Sequence, residues 1–347
     1  MLTIYRCATL GGVERILLNR AHVFQNSKLN IHYDILFWEN GTAKEKFIEY
    51  LIQNNLDSFV KVVESLEPDH YDYIFSIDVP EVLNFVNHEK LFIECHTGYP
   101  ENRRYLSSLP SDINGIIVPS QSFAEEIKLE LPLPLVDRVH LLSNIVYLSD
   151  VQLFNDELSV IYSKIPVVYL GRLDRKKKVE EVIRSVSLYN KNTDDLCLFL
   201  VGEVISHEIN LRKLLYKYDM INRTVYLPAI RFDKVGRLLE FIKRHKGIYM
   251  SASTKESFGM STAEAIAIGV PVLVHDNPAH HYLLNGEDTY LFQSKDYSTI
   301  IKKMRAILSN YELHSTKMLQ LSSRLQSNFL KEWHELIKAS EFRGGRN

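Results

Sequence analysis

The stretch Lys255-Glu256-Ser257-Phe258-Gly259-Met260-Ser261-Thr262-Ala263-Glu264-Ala265-Ile266-Ala267-Ile268-Gly269-Val270-Pro271-Val272 decides how this chain is read. It follows an apolar run, 247–253, that has the length and composition of a strand. Read physically, it is a loop, a helix, a tight turn and a second strand. Glu256 sits in the loop. Gly259 lets the backbone come close at a helix start, where unpaired N–H groups favour anions. Glu264 lies inside the helix, Gly269 terminates it, and Pro271 opens the next strand. On a helix, residues eight positions apart are separated by roughly 12 Å. On these residues alone, Glu256 is either a ligand-facing carboxylate or an acid stabilised by the helix dipole. Glu264 has Ala263, Ala265, Ile266, Ala267 and Ile268 around it. It is either a surface acid or a partly buried one, and a buried acid needs a partner.

The same alternation of apolar runs and amphipathic stretches extends outward through the chain. In the first half, strands are expected at 2–6, 32–37, 71–77, 90–95 and 113–118, with helices at 13–24, 43–52 and 122–129. The segment 143–164 is mixed and breaks the rhythm, so it reads as an inter-domain connection. The alternation then restarts, with strands at 166–170, 196–201, 224–227, 247–253 and 271–274. Helices are expected at 179–189, 207–218, 233–245 and 259–268, and the tail beyond Leu308 reads as helical, ending in 328–340. Apolar strands separated by helices predict parallel sheets covered on both faces. Two such units, without repeat-length periodicity, predict an α/β fold of two Rossmann-like doubly wound domains, 1–150 and 151–325. A closed eight-fold barrel is the alternative, disfavoured by the break at mid-chain.

Bulk properties narrow the function classes. A length of 347 residues fits two domains at ~100–200 residues each, with 46% hydrophobic and 24% charged residues. The net charge of −2 carries no basic excess, so no nucleic-acid partner is expected. Cys7, Cys95 and Cys197 are widely spaced, which predicts neither a disulfide framework nor a zinc cage, and fits a reducing, cytoplasmic location. The opening residues show no signal-peptide pattern, and no apolar run reaches 18 residues. No Asp-x-Asp pair is present to clamp a metal at a diphosphate, so no metal and no cofactor is expected.

The quoted stretch resembles the signature of the large family of retaining glycosyltransferases of the GT-B fold, glycosyl transferases group 1. That signature runs Ser-x-x-Glu-x-Phe-Gly and then Glu-Ala-x-Ala-x-Gly-x-Pro-Val. Here it reads Ser253-Thr254-Lys255-Glu256-Ser257-Phe258-Gly259 and Glu264-Ala265-Ile266-Ala267-Ile268-Gly269-Val270-Pro271-Val272. The resemblance implies two domains facing a central cleft, and sugar transfer from a nucleotide-diphosphate sugar to a hydroxyl acceptor, in surface glycan or glycolipid assembly. It implies that Glu256 contacts the donor sugar and Glu264 the nucleotide ribose. Ser257, Phe258, Gly259, Met260 and Ser261 would line the donor site.

Three further motifs carry the resemblance. After the strand at 166–170 comes Gly171-Arg172-Leu173-Asp174-Arg175-Lys176-Lys177-Lys178, a glycine followed by cations suited to phosphate oxygens. The family has Gly-Arg-Leu here with a lysine five residues after the arginine. Arg172 and Lys177 are thus expected to neutralise the leaving diphosphate, with Lys176 as the alternative. Lys178 stands where the family usually has glycine. Thr9-Leu10-Gly11-Gly12-Val13-Glu14-Arg15 is similar to the family's Gly-Gly-x-Glu-Arg opening, which makes Gly12 a donor-side and Arg15 an acceptor-side candidate. His96, after the strand at 90–95, matches a histidine the family commonly places near the reaction centre. Glu101, Asn102 and Arg103 read as acceptor-side groups or as a solvated rim.

Gly202-Glu203 is similar to the family's Val-Gly-x-Gly turn without its second glycine. The loop Asn277-Pro278-Ala279-His280-His281 departs from the family's glycine-rich loop, and adjacent His280 and His281 do not face each other as a metal pair would. The closing helix, about 326–347, resembles one that packs back on the first domain. Competing readings are a nucleotide-sugar epimerase/hydrolase or sugar phosphorylase on the same fold, and a non-catalytic nucleotide-sugar-binding partner subunit. The basic amphipathic stretch 231–245 suits either peripheral contact with the inner membrane face or packing on its own sheet.

Overall fold

The computed structural model describes residues 1–9, 11–27, 29–147, 163–325 and 328–344. The chain divides into two compact units, one of Met1–Tyr147 with Gln326–Asn347 and one of Leu148–Leu325. The connection expected at 143–164 falls largely on 148–162, outside the described residues.

The first unit is built on a parallel sheet of β1 (Leu2–Tyr5), β2 (Tyr33–Phe37), β3 (Val60–Val63), β4 (Ile74–Ile77), β5 (Leu91–Glu94), β6 (Gly115–Val118) and β7 (Val139–Leu141). Its order is β3-β2-β1-β4-β5-β6-β7. Helices α1 (Gly12–Asn26), α2 (Lys44–Gln53) and α3 (Gln121–Lys128) connect some of these strands, while short 3₁₀ turns serve between β4, β5 and β6. The central strands are buried on both faces, which is why they read as continuous apolar runs. Two strands escaped the sequence reading. β3 and β7 lie at the edges and are only partly buried, so Val60-Lys61-Val62-Val63 and Val139-His140-Leu141 lack the apolar run that marks a central strand.

The second unit repeats the plan with β8 (Ile165–Leu170), α4 (Val179–Thr193), β9 (Leu196–Val201), α5 (Leu211–Lys217), β10 (Thr224–Leu227) and α6 (Phe232–Arg244). It continues through β11 (Ile248–Ser251), α7 (Met260–Ile268), β12 (Val272–His275), α8 (Pro278–Leu284), β13 (Leu291–Phe292), α9 (Tyr297–Ser309) and α10 (Tyr311–Leu325). All its pairings are parallel, in the order β10-β9-β8-β11-β12-β13. Helix α8, strand β13 and helix α9 were not read from the sequence; the first two are short, whereas α9 runs for 13 residues. Helix α7 is apolar nearly all round because it is enclosed by β11, β12, α6, α8 and α10. It ends on two paired bonds, Gly269 N–H to the Ile266 carbonyl and Val270 N–H to the Ala265 carbonyl. Ser315 of α10 donates to the Gly269 carbonyl at 2.7 Å. Helix α6 turns Val235, Leu239 and Ile242 inward against its own unit, and Phe241 packs on Phe199. Among the described residues no helix is long and apolar enough to cross a membrane.

The last helix, α11 (Phe329–Gly344), belongs to the first unit. Phe329 and Trp333 pack on Phe24 with ring centroids 5.4 and 4.8 Å away, and Trp333 also meets Phe75 at 5.5 Å. Glu332 accepts from the Ser143 N–H at 2.6 Å and its hydroxyl at 2.9 Å. Trp333 is buried and touches both α1 and β4 through these rings. Trp333→Ala should therefore lose about 3–5 kcal/mol of stability in the first unit. Thermal unfolding of the variant beside wild type checks this; an unchanged melting temperature would show that α11 is dispensable.

Candidate functional site

Both sheets reverse their strand order beside their first strand, between β1 and β4 and between β8 and β11. In such sheets the loops leaving the carboxyl ends at the reversal open a crevice. In the second unit these loops are the two that the sequence singled out, Gly171–Lys178 after β8 and Ala252–Gly259 after β11.

Strand pairing places the first loop. The Gly171 N–H donates to the Val201 carbonyl, and beyond it Leu173 and Val204 form a parallel bridge. Gly202 has φ +143, and a Cβ there would lie 2.0 Å from the Gly171 carbonyl oxygen. Only glycine permits that approach. Val204, where the family motif has its second glycine, instead extends the sheet-like contact. Asp174 is buried and organises the cations: one oxygen accepts the Lys177 N–H at 2.6 Å and the other lies 3.3 Å from Arg172 Nη2. Arg172 points outward, 57% exposed. Lys178, standing for the expected glycine, adopts left-handed φ +51 at the start of α4 and holds Ser294 Oγ at 2.9 Å.

Lys177 Nζ reaches across to Glu256 Oε1 at 2.6 Å, both side chains largely buried. Lys176, the alternative, is exposed. Burial pushes the Glu256 carboxyl up, but Lys177 and His280 together outweigh it and hold it below its usual value. Phe258 is buried, Ser257 and Ser261 are half-buried, and Met260 opens α7. Gly259 caps that helix at φ +87, a left-handed conformation that favours glycine. Glu264 lies within α7 and is 8% exposed.

The sequence reading weighed His280 only as half of a disfavoured metal pair. It is buried under Gly259, with Nδ1 2.6 Å from the His275 carbonyl and Nε2 3.4 Å from Thr262 Oγ1. The first contact assigns the proton to Nδ1. Burial lowers its pKa to about 4, so it is neutral at pH 7. Asn277 caps α8 by accepting the His280 N–H and ties it to the Ser253 carbonyl. His281 instead faces outward to Asp276 at 2.6 Å. The Asn-Pro cap was legible; the depth at which His280 sits was not. Among the described residues no group of three or more His, Cys, Asp or Glu side chains could hold a metal ion.

In the first unit the expectations divide. His96 follows β5, and its Nε2 lies 3.0 Å from Glu94 Oε2. Glu94 is fully buried and takes a bidentate pair from Arg20 of α1, both bonds 2.9 Å. Glu94 and His96 stand two apart, so the strand period puts them on one side; Arg20 was not foreseeable. Glu14, in the Gly-Gly motif, accepts the Thr9 and Gly11 N–H groups and so caps α1. Gly12 is exposed on the first turn of α1, and Arg15 is buried on it. Glu101 and Asn102 are exposed on a 3₁₀ turn. Arg103 differs most from its expected rim position. It is 0% exposed, donates to Glu126, Glu130 and the Thr97 carbonyl, and lies over the Phe123 ring. Its donors clasp α3 to the loop after β5, so it is a structural residue here.

Burial pushes the Glu94 carboxyl up, while Arg20 and then His96 bring it down to about 2. Because this lies below the usual carboxylate value, its stabilisation is complete above pH ~4.5 and fades as pH falls toward 2. Removing Arg20 leaves a buried carboxylate without its cation. Arg20→Met should cost about 3–5 kcal/mol at pH 7. The deficit should shrink as pH is lowered to about 4, because the stranded carboxyl takes a proton. Urea unfolding at both pH values decides it; a pH-independent deficit would refute the electrostatic account.

Comparison with known proteins adds independent findings. The family model described as glycosyl transferases group 1 matches residues 158–319. A probable sucrose-phosphate synthase of Thermosipho melanesiensis is 30% identical over 112 residues, 32% of this chain and 26% of that protein. The capsular polysaccharide biosynthesis glycosyltransferase CapM of Staphylococcus aureus is 23% identical over 202 residues, 56% of this chain and 52% of that protein. The matches thus span about a quarter to a half of the length of these curated relatives. Among solved structures, Anabaena HepE in complex with UDP-glucose aligns with a TM-score of 0.72 at 16% identity, covering 97% of this chain and 98% of that one. At that identity the likeness concerns the fold, two parallel-sheet α/β domains of the GT-B kind. Over residues 158–319, then, the second unit of this chain is similar to the glycosyl transferases group 1.

Proposed function

We propose that this protein is a retaining glycosyltransferase that moves a sugar from a nucleotide-diphosphate sugar to a hydroxyl acceptor. The single observation that carries the reading is the Lys177–Glu256 pair, 2.6 Å, at the strand-order reversal of the second unit. A cation suited to a diphosphate and a carboxylate suited to sugar hydroxyls are brought together at the place where such sheets bind ligands. The family match over the same residues and the glycosyltransferases among the relatives support it.

In this reading the second unit holds the donor. Lys177 and Arg172 receive the diphosphate, aided by the N–H groups that open α7 beside Gly259. Gly171 and Gly202 keep the loop backbone low enough for the ligand to approach. Glu256 accepts from donor-sugar hydroxyls and Glu264 from the ribose. The bond from the anomeric carbon to the diphosphate oxygen breaks and a bond to the acceptor oxygen forms on the same face. The acceptor proton passes to the departing diphosphate. No protein nucleophile is required, and the two cations take the place of a metal ion. His96, held by Glu94, is the first-unit group assigned to the reaction centre. The first unit takes the acceptor, in surface glycan or glycolipid assembly at the cytoplasmic face of a membrane. With the apolar face of α6 buried in its own unit, attraction to anionic lipid would fall to its exposed cations Lys234 and Arg244.

The expected result is that one of UDP, GDP or ADP, or its sugar, raises the melting temperature equally with and without EDTA. UDP-glucose is the first donor to try, since HepE was solved with it. Glu264→Ala should abolish the shift. Lys177→Ala should lower kcat/KM by about 10²–10³-fold, the scale of losing one charge-stabilising group. The product's anomeric coupling in proton NMR reads retention directly. Stabilisation by no nucleotide would move the reading to a partner subunit, and sugar release without an acceptor to a hydrolase.

A further inference from the structure

Chain segments at the carboxyl end of the first sheet converge on Arg6. Strand β1 leaves the sheet through Arg6, and β2 leaves beside it through Trp38 and Glu39. Two backbone bonds prolong this pairing: Trp38 N–H to the Tyr5 carbonyl at 2.8 Å and Glu39 N–H to the Arg6 carbonyl at 2.7 Å. On the other flank of β1, β4 runs into the 3₁₀ turn Pro80–Asn84, which carries Glu81 and ends at Phe85. Arg6 lies across all three loops. Its Nη1 donates to Glu39 at 2.7 Å, and its Nη2 to both Glu81 oxygens at 2.7 and 2.8 Å. The Trp38 and Phe85 rings stand 5.8 Å apart, tilted by 47°. Phe85 is 59% exposed, and Trp38 is half-buried against the core.

This arrangement does little for the fold. Exposed ion pairs contribute about 0–1 kcal/mol, and an exposed phenylalanine gains little from burial. It does match a sugar. A pyranose has a face of C–H groups, which suits the negative face of an aromatic ring, and an edge of hydroxyls. Carboxylates accept from such hydroxyls and a guanidinium donates to them; the oxygens of Glu39 and Glu81 have lone-pair capacity beyond the Arg6 contacts. The patch carries two acids against one base, so an anionic ligand is disfavoured. An apolar tail would strand the three charged groups against hydrocarbon. The patch also lies where β1 and β4 meet and strand order reverses.

We propose that Arg6, Trp38, Glu39, Glu81 and Phe85 form a subsite for a neutral saccharide unit of the acceptor. The assignment to an acceptor rests on the glycosyltransferase reading; the saccharide site itself does not. The test is ligand-observed NMR titration of the full chain with neutral methyl glycosides of glucose, galactose, mannose and N-acetylglucosamine, and with maltose and cellobiose. At least one should bind wild type. Phe85→Ala and Glu81→Gln, both at exposed positions, should each weaken it about tenfold, as expected for the loss of ~1.4 kcal/mol. Inorganic phosphate should not displace it. Absence of saccharide binding, equal binding by both variants, or displacement by phosphate each overturns the subsite. The wild-type nucleotide shift is read on the same preparation. Nucleotide binding without saccharide binding sinks the subsite alone, whereas the reverse leaves the subsite standing and sinks the donor site.

Discussion

The reversal of strand order between β8 and β11 is the constraint on which the meeting of Lys177 and Glu256 depends. Helices connecting the strands on either side of that point pack on opposite faces, so the loops after β8 and β11 emerge side by side. Lys177 and Glu256 are 79 residues apart in sequence and meet at 2.6 Å because of it. The pair is partly shielded from water, which strengthens its attraction relative to a surface pair, and buried Asp174 accepts the Lys177 N–H. A diphosphate entering there would compete with Glu256 for Lys177, so ligand binding and rearrangement of the ion pair are coupled in this reading.

Buried and exposed arginines differ in what they hold. In the first unit, Arg20 and Arg103 are buried, and they spend their donors on the internal Glu94 and on the more exposed Glu126 and Glu130. Arg20 neutralises Glu94 and thereby steadies His96; Arg103 joins α3 to the loop after β5. Removing Arg20 would leave a buried carboxylate without its cation, whereas the carboxylates held by Arg103 are reached by solvent. In the second unit Arg172 stays exposed and oriented by Asp174. The planar five-donor fork suits both tasks, and burial alone decides which one a given arginine performs.

Helix α7 links fold and site in one element. Its apolar residues are enclosed on all sides, its C-terminus is bound to α10 through Ser315, and its N-terminus starts at Gly259 beside Glu256. Enclosure of the helix fixes where its N-terminal N–H groups point. It also places Glu264 on a rigid element rather than on a loop, as the proposed contact with a ribose hydroxyl requires.

The sequence by itself determined the fold class and the positions of the central strands, because strands buried on both faces must be continuously apolar. It also determined where the two loops with cations and carboxylates lie, since their glycines and caps are local. It was silent on β3 and β7, whose edge positions relax that apolar requirement, on α8 and β13, too short to show a period, and on α9. Tertiary structure alone brought Lys177 to Glu256, buried His280 under Gly259, took Arg103 away from the surface, and gathered Arg6, Trp38, Glu39, Glu81 and Phe85 from three loops. These are contacts between residues far apart in the chain, fixed by which strands are neighbours, and no local pattern of residue types encodes them.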